Sequence, residues 1–492
     1  MNQVSCSLGS VLSKRYVAAL GLIATCLDHH AAIELSPCDL SARHGRQEVD
    51  AQCGTLVVPL NPHEPGGESI ELFVAVVEAL AEQPAQDPLA VIAGGPGEAA
   101  TRFYVTTEQA FSRIVRNRDI VLVDQRGTGR SAALRCDASQ DDPFLTAGGV
   151  GGMVEASVEC LEGLDHDPRF FTTSVAVRDL EAVRQALGYE RMNLYGVSYG
   201  TRVAQHYLRR FPDRVRRVVL DGVVPPDVAL GPDVALASQA ALDALFDRCE
   251  SDAACRAAFP ELEQQFLTVL ERLTTAPVEV ALDHPRTGDP VDVLVDHWML
   301  VGVVRLLVYH PATASLLPVL IDAIHGGDYR SLVTQAFVVT EGIEDLAVGL
   351  NNAVVCTEDV PFTGDVNLAA QASTYMGTAF MEIVVGICEH WPRGLMDEDL
   401  REPLISDRPI LLLSGELDPI TPPRYAQRAS VGLSNAIRVV GRGQGHGMLM
   451  VRCAQRLMAE FLDVDDVGAL DLDCVERIRP FPLFISRMGP GP

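Results

Sequence analysis

A serine placed between a short apolar strand and a helix is the feature that most restricts how this chain can fold. The pentapeptide Gly196-Val197-Ser198-Tyr199-Gly200 follows a predicted strand at 192–195 and opens a predicted helix at 199–211. The flanking glycines let strand and helix approach closely, and the turn holds the serine in a strained conformation with its hydroxyl at the sheet edge. This context predicts that Ser198 is a nucleophile. The alternative is a glycine-rich turn that carries a bystander serine.

Strand-like and helix-like segments alternate over most of the chain. The intervening helical patterns favour a mostly parallel sheet covered by helices on both faces, which is an α/β fold. Short apolar runs predict the strands at 55–60, 70–77, 89–93, 120–123, 192–195, 215–220, 409–413 and 437–440.

The pattern changes between residues 224 and 403. Amphipathic helical stretches, broken by loops that contain proline and glycine, replace the alternation there. We therefore predict an α/β core formed by residues 33–223 and 404–492. A helical lid, residues 224–403, is inserted before the last strands.

A serine nucleophile needs a base and an acid that orients the base. In this kind of fold they follow the serine in the order Ser, Asp or Glu, His. Asp418 follows the predicted strand 409–413, and His446 lies in a glycine-rich loop after the predicted strand 437–440. We predict that His446 accepts the proton of Ser198 and that Asp418 holds the imidazole. Glu416 and Asp221 are the alternatives to Asp418, and Asp221 is expected instead to brace the junction between core and lid.

The tetrahedral intermediate of acyl transfer needs backbone N–H donors. The loop Gly94-Gly95-Pro96-Gly97 follows the predicted strand 89–93 and can direct an N–H group at the oxyanion. We predict an oxyanion hole formed by the N–H groups of Gly95 and Tyr199.

Composition excludes several function classes. Lys and Arg number 39 and Asp and Glu number 66, a formal net charge of −27. Such an acidic body repels phosphates, so nucleic-acid binding is not expected. Lys14 is the single lysine and lies in the predicted leader, so the mature chain lacks a Walker, Schiff-base or Ser/Lys-dyad lysine. We expect no metal and no organic cofactor.

Residues 1–32 have the pattern of an export signal. Lys14 and Arg15 precede an apolar stretch at 17–27, and Ala31 and Ala32 follow it. That stretch is too short to span a bilayer, so we predict a secreted or periplasmic protein without stable membrane insertion. The alternatives are a disordered or helical N-terminus and a lipid anchor at Cys26.

Ten cysteines follow the predicted leader, an even number that suggests disulfides in an exported chain. Sequential pairing is the simplest connectivity, although sequence does not fix it, and buried free thiols are the alternative. The cysteines are Cys38, Cys53, Cys136, Cys160, Cys249, Cys255, Cys356, Cys388, Cys453 and Cys474.

From about residue 53 to 474 the chain resembles the α/β-hydrolase family of proline iminopeptidases and tripeptidyl aminopeptidases, the latter with a TAP-like C-terminal region. The GGPG loop at 94–97, the segment DQRGTGRS at 124–131, the pentapeptide around Ser198 and the loops of Asp418 and His446 carry the resemblance. Ala93 stands where the family often has histidine. The segment 124–131 is expected to be a scaffold in which Asp124 and Arg126 brace the loop.

The resemblance also implies acidic lid residues that receive the free α-amino group of the substrate. The segment 353–359 resembles the corresponding lid motif, which makes Glu358 and Asp359 the candidates. The alternative is an acidic pair at a helix end that faces solvent.

These observations favour an exported serine aminopeptidase that acts on peptides with a free N-terminus through an acyl-enzyme. A secreted carboxylesterase is the alternative, because the same residues cleave esters and fold does not fix substrate. A binding protein on a hydrolase scaffold is a third hypothesis, which the intact set of Ser198, Asp418 and His446 disfavours.

Overall fold

A nine-stranded sheet organises the residues that this computed structural model describes, namely 32–41, 47–136, 149–343 and 346–490. A separate two-stranded hairpin, β8 and β9, lies outside it. Apart from residue 32, the predicted export signal is outside the described residues. The strands are β1 (Ser36–Ser41), β2 (Glu48–Pro59), β3 (Ser69–Val77), β4 (Leu89–Ile92), β5 (Ile120–Val123), β6 (Met192–Val197), β7 (Val215–Asp221), β8 (Val278–Asp283), β9 (Pro290–Val295), β10 (Ile410–Gly415) and β11 (Ala436–Gly441).

The sheet is antiparallel at one end and parallel over the rest. Its order is β1-β2-β3-β5-β4-β6-β7-β10-β11. Strands β1, β2, β3 and β5 pair antiparallel, whereas β5, β4, β6, β7, β10 and β11 pair parallel. The parallel strands are almost wholly buried because helices cover both faces, as their continuous apolar runs predict.

Helices pack on the sheet and fill the interval between β7 and β10. They are α1 (Ala100–Phe111), α2 (Gly149–Glu162), α3 (Thr173–Ala186), α4 (Tyr199–Arg210), α5 (Val234–Ser251), α6 (Ala253–Ala258), α7 (Leu262–Thr275), α8 (His297–Leu307), α9 (Pro311–Ala314), α10 (Leu317–His325), α11 (Arg330–Ile343), α12 (Val348–Glu358), α13 (Leu368–Ala372), α14 (Ala379–His390), α15 (Pro423–Ala429) and α16 (Arg452–Asp463).

Helix α16 illustrates how the pattern produces the packing. Ala454, Leu457, Met458, Phe461 and Leu462 recur at helical spacing and are buried against one face of the sheet. The polar residues between them face outward, so burial of one apolar stripe holds the helix in place.

The predicted α/β class, with a mostly parallel sheet, is confirmed. The interval between β7 and β10 contributes no described strand to the main sheet, which agrees with an inserted lid, although its boundaries at 224 and 403 stay predictions. Two details were missed. The lid is not purely helical, because β8 and β9 form an antiparallel hairpin, and β1 adds an edge strand before the first predicted one.

Five disulfides join the ten cysteines in sequential order, as the simplest connectivity expects. Three of them link or close elements near the sheet, and Cys356–Cys388 joins α12 to α14 inside the lid. The pairs are Cys38–Cys53, Cys136–Cys160, Cys249–Cys255, Cys356–Cys388 and Cys453–Cys474.

Candidate active site

Five strand ends meet along one edge of the sheet. Strands β4, β6, β7, β10 and β11 are consecutive neighbours and parallel. The loops that follow their carboxyl ends carry the GGPG segment, Ser198, Asp221, Asp418 and His446 in that order. Residues separated by more than 300 positions in sequence therefore belong to one edge, which is where ligands bind in open α/β sheets.

Ser198 occupies a sharp turn between β6 and α4. Its φ of 55° and ψ of −123° lie outside the regions that ordinary residues prefer, so the turn is strained. The N–H of Ser198 donates to the carbonyl of Asp221 at 2.8 Å, and its carbonyl accepts from Thr201 N–H at 2.9 Å. The side chain is half-buried. This geometry is that of the predicted nucleophilic turn.

The glycines on either side of Ser198 are required by close backbone approach. A Cβ atom on Gly196 would lie 2.4 Å from the carbonyl oxygen of Gly200, and one on Gly200 would lie 2.4 Å from the carbonyl oxygen of Ile92. The Gly200 carbonyl cannot move without displacing α4, and the Ile92 carbonyl cannot move without displacing β4. The pentapeptide thus packs the first turn of α4 directly onto the end of β4.

Asp418 and His446 are hydrogen-bonded to each other. His446 Nδ1 lies 2.9 Å from Asp418 Oδ2 and 3.0 Å from Oδ1. The same carboxylate accepts from the N–H groups of Ile420 and Thr421 and from the Thr421 hydroxyl. Asp418 is therefore held rigidly, and its side chain is fully buried whereas that of His446 stays 13% exposed.

The electrostatics of this pair suit a general base. Burial by itself lowers the pKa of His446, but the Asp418 carboxylate outweighs it and raises that pKa above its ordinary value. Burial by itself raises the pKa of Asp418, but the charge of His446 and the hydrogen bonds around it hold that pKa below its usual range. The pair thus favours an imidazolium opposite a carboxylate, the charge state that forms when a serine is deprotonated.

Ser198 and His446 approach the same turn at the end of β7. A Cβ on Gly222 would lie 3.1 Å from Cε1 of His446, and Gly222 adopts a φ of 63°. Its neighbour Asp221 holds the backbone of Ser198. The structure thus brings the loops of Ser198, Asp418 and His446 together; the proton transfer between them stays a prediction.

The two alternatives to Asp418 have other partners. Asp221 accepts from Met448 N–H at 2.7 Å and from the Tyr195 hydroxyl at 3.0 Å, so it braces the loop of His446. Burial raises the pKa of Asp221 to about 6. Glu416 accepts from Gly443 N–H at 2.7 Å on the outer side of the same loop. Neither carboxylate is hydrogen-bonded to the imidazole.

The GGPG loop lies against the nucleophile. A Cβ on Gly94 would lie 3.1 Å from Cβ of Ser198. The lid fixes the loop from the other side, because Ala347 N–H donates to the Gly97 carbonyl at 3.0 Å and Asn351 Nδ2 donates to the Pro96 carbonyl at 3.3 Å. The loop is therefore placed as an oxyanion hole requires, and the donor roles of Gly95 and Tyr199 stay predictions.

A half-buried acid, Glu98, follows the GGPG loop directly. The backbone of Gly94 and the charge of Arg102 both act to lower the pKa of its carboxyl group. Burial raises the pKa of Glu98 to about 7, because these two interactions only partly offset the loss of water. A carboxyl group that titrates near neutral pH therefore adjoins the glycine that contacts Ser198.

Glu358 and Asp359 end α12 and are fully buried. Both oxygens of Glu358 accept from Thr173, through its N–H at 2.7 Å and its hydroxyl at 2.8 Å. Asp359 forms a two-pronged pair with Arg202 of α4 at 2.7 and 3.1 Å. Each oxygen of Glu358 thus accepts one hydrogen bond, and both oxygens of Asp359 face a guanidinium inside the protein. The amine-binding role that the resemblance implies stays a prediction.

The acidic pair instead reaches the first turn of α4. The Tyr199 hydroxyl donates to Thr173 Oγ1 at 2.8 Å, and that hydroxyl donates to Glu358. Gln125 Nε2 donates to Tyr199 from the other side at 3.2 Å. Tyr199 and Arg202 are thus both held by the end of α12. Because Tyr199 follows the nucleophile, this network orients the residue expected to supply an oxyanion donor.

The segment 124–131 forms the expected scaffold. Arg126 binds both oxygens of Asp179 at 2.6 and 2.7 Å and donates to three backbone carbonyls. Asp124 accepts from Thr101 and from Arg130 N–H. These contacts tie the ends of β2 and β5 to α1 and α3.

Comparison with known proteins agrees with this architecture. A family model described as alpha/beta hydrolase fold matches residues 87–248, which contain the strands from β4 to β7 and Ser198. The chain has an α/β-hydrolase fold. A second family model, described as TAP-like protein, matches residues 373–474, which contain Asp418 and His446.

Curated relatives of this chain include proteins named as peptidases and one named as a carboxylesterase. Tripeptidyl aminopeptidase of Streptomyces coelicolor is 34% identical over 198 residues, which cover 36% of this chain and 35% of the relative. Serine protease Hip1 of Mycobacterium tuberculosis is 30% identical over 214 residues, 40% of each chain. Carboxylesterase B of Mycobacterium tuberculosis is 34% identical over 196 residues, 36% of this chain and 37% of the relative. The chain spans about 40% of the length of the curated relatives it matches.

The described part of the chain contains no group of three or more His, Cys, Asp or Glu side chains arranged to ligate a metal ion. None of its described helices combines the length and hydropathy needed to cross a bilayer.

Sequence reasoning missed three residues beside the loops of Ser198, Asp418 and His446. Thr421 lies 3.2 Å from His446 Nδ1. Tyr309 of the lid accepts from His446 N–H at 2.6 Å, and its ring meets the imidazole edge-on at a centroid distance of 5.4 Å. Glu98 could have been noticed, since an acid directly after GGPG is conspicuous. Tyr309 could not, because only the folded lid brings it to the core.

Proposed function

We propose that this chain is an exported serine exopeptidase that releases residues from the free N-terminus of peptides. The observation that carries the proposal is the buried Asp418–His446 pair, with its 2.9 Å contact, at the same sheet edge as the strained Ser198. The relatives named tripeptidyl aminopeptidase and serine protease support peptides as the substrate class. Five disulfides support an oxidising compartment.

The reaction proceeds in two halves. His446 takes the proton of Ser198 as the hydroxyl attacks the scissile carbonyl, and Asp418 stabilises the resulting imidazolium. The N–H groups of Gly95 and Tyr199 bind the oxyanion. His446 then gives the proton to the leaving amine, which departs and leaves an acyl-enzyme. A water molecule, deprotonated by His446, hydrolyses that ester and restores Ser198.

Esterase activity is the second candidate. The relative named carboxylesterase B favours it, and so does the internal pairing of Glu358 and Asp359, which leaves no lid carboxylate of that pair free for an ammonium. The same serine, histidine and oxyanion donors cleave esters without any amine requirement.

A substrate panel separates the two candidates. Free-amine arylamides of the Pro, Ala and Ala-Ala-Pro type are compared with their N-acetylated counterparts and with simple acyl esters, and Ser198→Ala is the control. The peptidase proposal expects the free-amine substrates to be preferred and the variant to be inactive. Equal rates with acetylated substrates and a dominant ester activity would replace the peptidase with the esterase.

A further inference from the structure

Arg305 of α8 has its guanidinium group beside two aromatic rings. Its guanidinium carbon lies 5.6 Å from the ring centre of Tyr309 and 5.2 Å from that of Phe380. One Nη donates to the Tyr309 hydroxyl at 3.2 Å, whereas its Nε is buried without a partner. In the parts of the chain that the structure describes, Arg305 forms no ion pair with a carboxylate. Two aromatic rings thus lie beside a cation that no carboxylate among the described residues pairs with.

Arg305 is on the His446 side of the site. Tyr309, which Arg305 contacts, bonds to the backbone of His446 and packs against its ring. The Arg305 charge is also among the groups that act to lower the pKa of His446, against the stronger effect of Asp418. Only one tyrosine ring therefore separates the guanidinium from the imidazole.

Two further polar groups near Arg305 have no partner of normal hydrogen-bond geometry. They are the hydroxyls of Tyr375 and Ser238, which are 7% and 0% exposed as residues. Burial raises the pKa of Tyr375, and the Arg305 charge and the neighbouring Ser238 hydroxyl act against that rise. Buried donors that the protein leaves unsatisfied are uncommon and point to an acceptor that arrives from outside.

The chemistry of the reaction indicates which part of a substrate lies here. His446 gives its proton to the leaving amine, so the leaving group must lie beside the imidazole. A guanidinium that presents N–H donors from between two rings fits a planar carboxylate. We propose that Arg305, with the Tyr375 and Ser238 hydroxyls, binds a carboxylate carried by the leaving group. This inference rests on the proposed peptidase function.

A carboxylate next to the scissile bond can come from two sources. The first is the α-carboxylate of a leaving group of one residue, as in a dipeptide, and the second is an Asp or Glu side chain directly after the cleaved bond. Both present the same anion to Arg305. A leaving group whose carboxylate lies farther from the scissile bond, or is replaced by an uncharged amide, does not present this anion to Arg305.

The test compares four substrates that share an N-terminal alanine: Ala-Ala, Ala-Ala-amide, Ala-Asp-amide and Ala-Asn-amide. Wild-type kcat/KM is expected to be on the order of tenfold or more higher with a carboxylate than with its matched uncharged partner, as for a hydrogen bond to a charged group. Ala-Ala against its amide reports the α-carboxylate, and Ala-Asp-amide against Ala-Asn-amide reports the side chain. In Arg305→Leu both ratios are expected to fall to about one. Arg330 is an exposed arginine of the lid and provides the control: Arg330→Leu is expected to keep both ratios at their wild-type values.

A binding measurement keeps the inference separate from the proposed function. In the Ser198→Ala background, calorimetry compares Ala-Ala with Ala-Ala-amide, and the thermal midpoint of each variant checks its folding. Tighter binding of a carboxylate ligand that Arg305→Leu removes supports the inference even if no peptide is cleaved. Ratios near one in both kinetics and binding would overturn it, while normal arylamide cleavage would leave the peptidase proposal standing.

Discussion

Arg202 and Asp359 form a two-pronged ion pair inside the protein, with distances of 2.7 and 3.1 Å and side chains that are 2% and 0% exposed. Arg202 lies one turn beyond Ser198 on α4, and Asp359 ends α12 of the lid. The pair therefore fixes the helix that carries the nucleophile to the lid. The lid is anchored to the catalytic core at this point.

Removing one member of the pair is expected to destabilise the protein. Asp359→Asn leaves the buried Arg202 with only the more distant carboxylate of Glu358, at 3.6 Å, as counter-charge, which costs about 3 kcal/mol in the free energy of unfolding. Urea unfolding measures the loss. The double variant Arg202→Met with Asp359→Leu is expected to recover part of it, because it also removes the guanidinium that Asp359→Asn leaves poorly paired. If Asp359 instead contacted the substrate amine, Asp359→Asn would raise KM for free-amine substrates and leave stability unchanged.

The glycine after the nucleophile is expected to be irreplaceable. Gly200→Ala places a Cβ 2.4 Å from the Ile92 carbonyl and 2.5 Å from that of Ala93, so α4 must shift away from β4. Displacing Ser198 by even about 1 Å is expected to lower kcat at least ~100-fold. Gly151→Ala on α2, where a Cβ meets nothing within 4 Å, is the matched control and should keep full activity. Equal activity of the two variants would contradict this account of the turn.

Ionisation of Glu98 is expected to produce the alkaline limb of the pH profile of kcat/KM. Its pKa of about 7 means that the carboxyl group is neutral below that pH and ionised above it. An anion beside Gly94 opposes the oxyanion, so kcat/KM should fall as pH rises through 7. Glu98→Gln is expected to remove this fall and to keep the acidic limb that His446 produces. An alkaline limb that persists in Glu98→Gln would assign the titration to another group.

The same carboxyl group affects stability with a definite sign. Its folded pKa lies above its ordinary value of 4.5, so the folded state binds the proton more tightly than the unfolded state. Stability is expected to fall as pH rises from about 4.5 to about 7 and to level off above. Glu98→Gln should flatten this dependence, which thermal midpoints across that range measure.

Loss of the Cys356–Cys388 disulfide is expected to lower the free energy of unfolding more than loss of the Cys249–Cys255 disulfide. Cys356–Cys388 spans 32 residues and Cys249–Cys255 spans 6. Because a longer closed loop restricts the unfolded chain more, replacing each pair by serines should cost roughly 4 and roughly 2 kcal/mol respectively. Urea unfolding of the two double variants tests the order. A larger loss for Cys249–Cys255 would mean that strain or packing, rather than loop entropy, governs these disulfides.

Much of the fold follows from local pattern. The strands that match apolar runs and the turn around Ser198 could be anticipated from neighbouring residues alone. The sequential disulfides agree with the simplest connectivity, which sequence does not fix. The hairpin β8 and β9 was missed because its alternation is short and one strand face is exposed, which weakens the signal in a helical context.

The site could be anticipated only in part. The contact between Asp418 and His446 could be anticipated because chain order and strand ends restrict the candidates. The partner of Glu358 could not be anticipated, because sequence shows a carboxylate and not what it contacts; Thr173 lies 185 residues away. Arg305 and Tyr309 were not anticipated at all, since only the packing of the lid on the core brings them to His446.

Covalent labelling of Ser198 tests the central claim most directly. The enzyme is treated with a fluorophosphonate, which reacts with serines activated by a neighbouring base, and the adduct is located by mass spectrometry. The account expects one adduct, on Ser198, that is absent in Ser198→Ala and strongly slowed in His446→Ala. No adduct on the folded wild-type protein, or an adduct that persists in Ser198→Ala, would contradict the assignment of Ser198 as the nucleophile.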